Sequence, residues 1–492
     1  MSAPQPALRL APAVLALALA SGAAAAAPPP PLAERPPVAD ALALLDLWIA
    51  EQMAWQQAPG LAIGIVHGDD LVWARGYGVT DLEGGTPVTP STLFRLGSIT
   101  KLFTATAILQ LRDAGRLALD DPLRRHLPWF EIENPFPAAP AVTLRHLLLH
   151  TGGLPREAAF PYWTTHEFPS VDEIRRALAG QRLSSPPGDE YRYSNLGMAL
   201  LGAVVEAASG QPYARFIGAH ITAPLGMADT TLSPGAAHLD RLATAYMRRT
   251  PDNRRRIHDY YDTGGMAPAA AIVSSLQDLA RFAALQLADG PSTAEPAGGW
   301  VVAPATLREM HRAQFVYDGW SGGRGLGFAV SRRDDTTFVV HGGWIGGHRA
   351  HLLLAPEQDV AVLALVNAED VSPGDFCATA FDVVAPAIRE ATADAPPAEV
   401  APPPAEWAAY LGTYSDPWGW EYEVLVHGGD LALYDHGYPP GDDPRRSLTL
   451  LEPVAGRTFR LPDGDPVIFV LDEAGRVERV QRRYDYLYPV AE

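Results

Sequence analysis

Between residues 38 and 57 apolar side chains recur at Leu42, Leu45, Trp48, Ile49 and Met53, the spacing of an amphipathic helix. Two short apolar runs follow, 61–66 and 71–77, parted by His67-Gly68-Asp69-Asp70, which reads as a β-hairpin. A second helix is expected over 98–113, carrying Leu102, Ala105, Ile108, Leu109 and Leu111 before Gly115 stops it. From about 120 to 310 helical patterns alternate with long Pro/Gly loops. Strand-like runs return at 325–330, 337–341, 349–354 and 360–366, and a last helix is expected within 374–391. Residues 394–406 are mostly proline and alanine, the composition of a semi-rigid linker. Beyond them, 407–492 alternates aromatic and β-branched residues between glycine-rich turns and is expected to be a separate small β-domain.

The first 26 residues follow a different pattern. One charge, Arg9, precedes an apolar run from Leu10 to Ala20 and then Ser21, Gly22 and a string of alanines. That order is the order of a secretory signal peptide, with cleavage expected near Ala26 and a Pro-rich segment, 27–37, ahead of the first helix. The chain is therefore expected to be periplasmic or secreted, touching a membrane only through that segment. Its 492 residues suggest more than one domain, with the body spanning 38–393.

Composition narrows the chemistry. The net charge is −19, and the longest basic run is Arg254-Arg255-Arg256, so nucleic acid is excluded as a partner. The single cysteine, Cys377, lies in an apolar stretch and reads as a small buried residue. Of the 38 basic residues 37 are arginine, and the one lysine is Lys101. No Gly-Lys-Ser/Thr run exists, which removes the P-loop nucleotidases. No His-Glu-x-x-His zinc signature is present, and no cofactor or metal is implied.

Lys101 stands three residues after Ser98, on the same face of the expected helix start. A serine hydroxyl needs a base before it becomes a nucleophile, and a neutral lysine can be that base. Arginine cannot, because its guanidinium keeps its proton at any working pH. Two further segments bear on the same chemistry. Tyr193-Ser194-Asn195 lies in a loop just before an apolar helical run; a phenol there can relay a proton and an amide can hold an amine or a substrate carbonyl. His341-Gly342-Gly343-Trp344 ends one expected strand, where glycines let a substrate backbone lie close and expose a peptide N–H.

In the order Ser-x-x-Lys, Tyr-x-Asn, His-x-Gly, the chain resembles the serine β-lactamase and penicillin-binding-protein superfamily, in its class C β-lactamase-like and esterase branch. Segments such as Phe94-Arg95-Leu96-Gly97-Ser98-Ile99-Thr100-Lys101, Leu149-His150-Thr151-Gly152-Gly153 and Gly325-Leu326-Gly327-Phe328 extend the resemblance over about 40–390. It implies an α/β (α+β) fold, an antiparallel sheet flanked by helices with a helical subdomain; the tail resembles a lipocalin-like β-domain. It further implies that Ser98 is acylated, with Lys101 as its base and Tyr193 as the acid/base for the leaving group. Asn195 would orient Lys101 and the substrate amide, the N–H groups of Ser98 and Trp344 would form the oxyanion hole, and His341 and Gly343 would line the substrate strand.

The superfamily's β-lactamases and carboxypeptidases usually carry a lysine at the position of His341, whose charge helps hold the substrate carboxylate. A largely neutral histidine does this less well, unless Arg349 turns inward. The expected activity is therefore an esterase or D-amino-acid-type peptidase acting on a small-molecule or peptide substrate. The alternatives are a β-lactamase, or a penicillin-binding protein or sensor that acylates without turnover. Gly319-Trp320-Ser321-Gly322-Gly323 matches a nucleophile-elbow pattern but lacks a following helix and reads as a turn. The turn at 150–153 and His146, His166 and His348 are expected to be structural, and Trp129, Tyr162 and Trp163 to pack loops or line a pocket.

Overall fold

The computed structural model describes residues 30–288, 301–393, 402–483 and 485–490. The expected signal peptide and most of the Pro/Ala linker lie outside these residues. The body is built on an eight-stranded sheet. Its strands in chain order are β1 (Gly60–His67) and β2 (Asp70–Gly78), then, after a separate pair made by β3 (Leu93–Arg95) and β4 (Val273–Ser275), β5 (Phe315–Val316), β6 (Gly323–Arg324), β7 (Ala329–Arg333), β8 (Thr336–Ile345), β9 (His348–Ala355) and β10 (Val360–Val366). The spatial order is β2-β1-β10-β9-β8-β7-β6-β5, antiparallel throughout. The helices that matter here are α1 (Pro36–Gln56), α2 (Thr100–Asp113), α3 (Asn195–Ser209), α4 (Leu276–Leu287) and α5 (Pro373–Ala391).

Strand β10 shows why the sheet is covered on both sides. Every residue of Val360–Val366 is buried. Val360, Val362, Ala364 and Val366 join the core under α1 and α5, whereas Ala361, Leu363 and Leu365 join the larger core that holds α2, α3 and α4. An unbroken apolar run is what a strand buried on two faces requires. Cys377 on α5 belongs to the first of these cores, and burial drives its thiol pKa up, as befits a packing residue.

The tail forms a nine-stranded sheet in the order β14-β13-β12-β11-β19-β18-β17-β16-β15. Its strands are β11 (Gly412–Ser415), β12 (Glu421–His427), β13 (Asp430–Asp435), β14 (Leu448–Leu450), β15 (Glu452–Ala455), β16 (Thr458–Arg460), β17 (Pro466–Leu471), β18 (Val477–Arg482) and β19 (Asp485–Pro489). The two edge strands, β14 and β15, are joined through Leu451 alone, so the sheet must curl until its edges meet as a nearly closed barrel. Val424, Leu433, Phe459, Phe469 and Val480 fill its own core. The barrel also covers the outer side of α1: Trp48 Nε1 donates to Gly441 O at 2.7 Å and Tyr434 OH to a Glu51 carboxylate oxygen at 3.0 Å. Leu44, off the expected apolar stripe of α1, is buried as well.

Three sequence expectations are corrected. The helix expected from Ser98 starts at Thr100, and Ser98 sits in a single 3₁₀ turn before it. The strand expected over 325–330 is two short strands parted by Gly325-Leu326-Gly327-Phe328. Gly327 has φ +89°, and Leu326 and Phe328 are fully buried in the core, so the segment plugs the core instead of pairing. The strand expected to stop at His341 runs on to Ile345, pairing with β9 up to a hairpin turn at Gly346-Gly347.

Candidate active site

The turn that holds Ser98 is pressed against β8 by two glycines. Gly97 has φ +52°, and a Cβ there would lie 2.7 Å from Trp344 N. A Cβ on Gly343 would lie 1.9 Å from Leu96 O. Both distances are far inside van der Waals contact, so only glycine lets the Trp344 peptide and the Ser98 turn approach this closely. Gly342 and Gly343 were expected at a strand end; they stand inside the strand, where the missing side chain of Gly343 makes room for the turn.

One helical turn on from Ser98, the side chain of Lys101 is fully buried. Its Nζ lies 3.0 Å from Ser98 Oγ and donates to Ala269 O at 2.8 Å. Burial pushes the amine pKa far below the usual lysine range; Glu157 opposes this and Arg156 adds to it. Tyr193 OH donates to the same Ser98 Oγ at 2.8 Å. Burial pushes the phenol up to about 12, against the lowering pull of the Ser98 contact and Arg156. Serine is thus flanked by an amine whose charged form burial disfavours and by a protonated phenol.

Ser194 caps α3: its Oγ accepts from Gly197 N at 2.9 Å and donates to Pro155 O at 2.7 Å. That cap holds Tyr193 just outside the helix and Asn195 at its first position. Asn195 Nδ2 donates to Glu157 Oε1 at 2.7 Å, while Lys101 takes its polar partners from Ser98 and Ala269. Asn195 thus meets Glu157, and the carbonyl that accepts from Lys101 is that of Ala269. Glu157 also accepts from Tyr162 OH, so the 155–162 loop is tied to the start of α3.

His341 is buried on β8. Its Nδ1 lies 2.7 Å from Gly342 O, and a carbonyl can only accept, so Nδ1 carries the proton and Nε2 is bare. Burial, with Lys101 and Arg324 nearby, brings its pKa down to about 3. It is neutral at any physiological pH. Arg349, the other candidate for positive charge, lines the cleft but donates to Glu369 O at 3.3 Å and Val371 O at 3.1 Å.

Ser98, Tyr193, Asn195, His341, Gly343 and Trp344 all line one cleft of about 1340 Å³. The volume exceeds that of an ordinary small-ligand pocket and admits an extended substrate. Trp344, 59% exposed, forms part of its rim with Trp163 and with His166, which stacks on Tyr261 at 4.7 Å. His166 thus lines the cleft, whereas it was expected to be a structural loop residue. His348 is buried against Phe94, and His146 closes the capping box of the short helix Leu144–Leu148. Ser321 is exposed in a turn between β5 and β6 with no helix after it, so the nucleophile-elbow pattern has no structural basis.

Two residues of the site escaped the sequence reading. His150, buried with φ +57°, accepts from Ser194 N through Nδ1 at 3.2 Å, and its ring lies 4.5 Å from that of Tyr193. It holds the phenol in place. Its motif was legible, but nothing in a His-Thr-Gly-Gly string says which side chain it will meet. The other is Arg324 on β6, which lines the same cleft.

A family model described as Beta-lactamase matches residues 45–383. The chain belongs to the Beta-lactamase family. It shares its fold with a penicillin-binding-protein homologue and with an esterase-type hydrolase. Among curated relatives of this β-lactamase-family chain, "Protein flp" of Staphylococcus aureus (strain MW2) is 26% identical over 330 residues, 67% of this chain. The matched region spans 63% of that relative's length. "Esterase EstB" of Burkholderia gladioli is 35% identical over 231 residues, 44% of this chain and 57% of the esterase. The crystal structure of SurE with D-Leu superposes with a TM-score of 0.56 at 26% identity, covering 92% of this chain and all of that one (100%).

Proposed function

We propose that this hydrolase cleaves esters or D-amino-acid amides through an acyl-enzyme on Ser98. The observation that carries the reading is the double engagement of Ser98 Oγ by Lys101 at 3.0 Å and Tyr193 at 2.8 Å. Neutral Lys101 Nζ removes the hydroxyl proton as Oγ adds to the substrate carbonyl. The resulting oxyanion is held by the peptide N–H groups of Ser98 and Trp344, which the glycine contacts bring to the same spot. Tyr193 gives its proton to the leaving alkoxide or amine and is reprotonated through Lys101. Water then repeats the sequence on the acyl-enzyme, releasing the acid and free Ser98. Asn195, held by Glu157, faces the substrate from the cleft wall.

A neutral His341 favours esters and D-aminoacyl amides over β-lactams, because a β-lactam's carboxylate finds no charge there. The 35% identity to an esterase and the likeness to a protein solved with D-Leu support the same choice. A panel of activated esters, D-alanyl and L-alanyl p-nitroanilides and a chromogenic cephalosporin tests it. Turnover of esters or D-alanyl anilide well ahead of the cephalosporin is expected; a reversed order overturns the choice.

Because His341 is neutral above about pH 3, it adds no inflection between pH 5 and 8. The acid limb of kcat/KM instead reports the depressed Lys101 amine, which is active only when deprotonated, so activity rises with pH through that limb. In His341→Asn the midpoint of this limb is expected to move by less than ~0.5 pH unit, the change left by losing a neutral neighbour. A pH-rate profile of the variant measures it.

We further propose that the protein is exported, on the signal-like order of its first 26 residues. Expressed in a Gram-negative host, it is expected in the periplasmic or extracellular fraction with a new N-terminus near Ala26. An intact N-terminus in the cytoplasmic fraction contradicts this.

A further inference from the structure

Arg324 lies on β6 opposite Ala329 of β7, which in turn pairs with Val340, the neighbour of His341 on β8. It is 9% exposed and lines the same cleft as Ser98. Its guanidinium sits over the ring of Tyr191 at 4.2 Å and donates one N–H to that phenol. Tyr191 is on the loop that carries Tyr193, so the cation borders the catalytic group. Packing on Tyr191 uses one face and one N–H of a group with five. The buried Nε–H has no hydrogen-bond partner.

Among the described residues no Asp or Glu forms an ion pair with Arg324. Acids are not scarce, since the chain has 57 Asp+Glu against 38 Lys+Arg. Arg112 and Arg145, also partly buried, have carboxylates, Glu309 at 2.6 Å and Asp120 at 2.8 Å; buried Arg95 has none, but gives an N–H to Tyr261 O and packs between Tyr260 and Tyr261. A buried guanidinium cannot discard its charge, and leaving it without a counter-ion is costly. Such a cost is tolerated where an anion arrives from outside, and Arg324 is one of the residues that line the cleft.

We propose that Arg324 receives a carboxylate of the substrate, so that this enzyme acts on esters or amides carrying a carboxylate beside the scissile bond. The proposal rests on the hydrolase reading above. It places the anion site on β6, across β7 from His341, and so shifts the carboxylate away from the strand position where the superfamily's lysine would hold it. Arginine suits this task because it keeps terminal N–H donors beyond the one given to Tyr191.

Two matched ester pairs test it, since the carboxylate can belong to either side of the scissile bond. For the acyl side the pair is p-nitrophenyl butyrate and p-nitrophenyl hemiglutarate; for the leaving-group side it is phenyl acetate and 4-acetoxybenzoate. The wild-type chain is expected to prefer the anionic member of one pair in kcat/KM. In Arg324→Met the anionic-to-neutral ratio of that pair is expected to fall by about 10-fold or more, the range for a lost charge-assisted hydrogen bond, and by less in Arg324→Lys, which keeps the charge. Removing an unpaired buried charge favours folding; should Arg324→Met fail to fold, the same ratio in Arg324→Gln decides. Equal loss on both members, with the ratio unchanged, means that Arg324 only steadies Tyr191 and overturns the proposal. So does wild-type turnover of the neutral esters with no preference in either pair. No turnover of any ester by the wild type, together with none of the D-alanyl anilide, defeats the hydrolase reading itself.

Discussion

Replacing Ser98 by alanine is expected to lower turnover of an activated ester by at least ~10³-fold while leaving the melting temperature within a few degrees of wild type. The side chain is half-buried at the floor of the cleft, and its hydroxyl is the shared partner of Lys101 and Tyr193. Alanine removes the nucleophile without adding volume. The cost to folding is small because the two partners keep other company: Lys101 retains Ala269 O, and Tyr193 retains its packing on His150. Steady-state kinetics with p-nitrophenyl acetate, alongside thermal denaturation, measures both. Retained turnover in a folded variant would move the chemistry elsewhere.

Lys101→Arg is expected to be nearly as inactive as Lys101→Ala, by ~10²- to 10⁴-fold in kcat/KM, the usual worth of a general base. Charge is not what the position supplies. The side chain is fully buried, touches a serine and a carbonyl, and has its amine pKa driven down chiefly by loss of solvent. A guanidinium in that space stays protonated, is larger than the cavity was built for, and offers no lone pair to Ser98. Both variants should be assayed at pH 7 and pH 9. An arginine variant with more than a tenth of wild-type activity would show that proton abstraction is not the task of Lys101.

The single lysine among 38 basic residues made the candidate base legible before any fold was known, because only lysine among strong cations can give up its proton. Strand β10 was legible to the residue, since its apolar run is unbroken and bounded by polar turns. The errors share a cause. Gly325-Leu326-Gly327-Phe328 and His341-Gly342-Gly343-Trp344 are both glycine-rich apolar strings; one plugs the core with φ +89° at Gly327, and the other is the middle of a ten-residue strand. Local pattern cannot separate them, because the roles of these glycines are set by what packs against them: Ala105 of α2 in the first case and Leu96 O in the second. His150 and Arg324 escaped for a related reason. Their meaning lies in contacts with Tyr193 and Tyr191, which are 43 and 133 positions away or are separated by the whole helical subdomain. The amphipathic reading of α1 was half the picture, since the second apolar face meets a barrel that begins some 350 residues later.

Covalent attachment of a substrate or probe to Ser98 can be read directly from tryptic peptides. Cleavage after Arg95 and Lys101 releases residues 96–101, in which Ser98 is the only serine. The full chain should be treated with a fluorophosphonate probe and its tryptic peptides weighed. One adduct is expected, on 96–101, and it disappears in Ser98→Ala. An adduct on any other peptide, or ester turnover that persists while Ser98 stays unlabelled, would contradict attachment at Ser98.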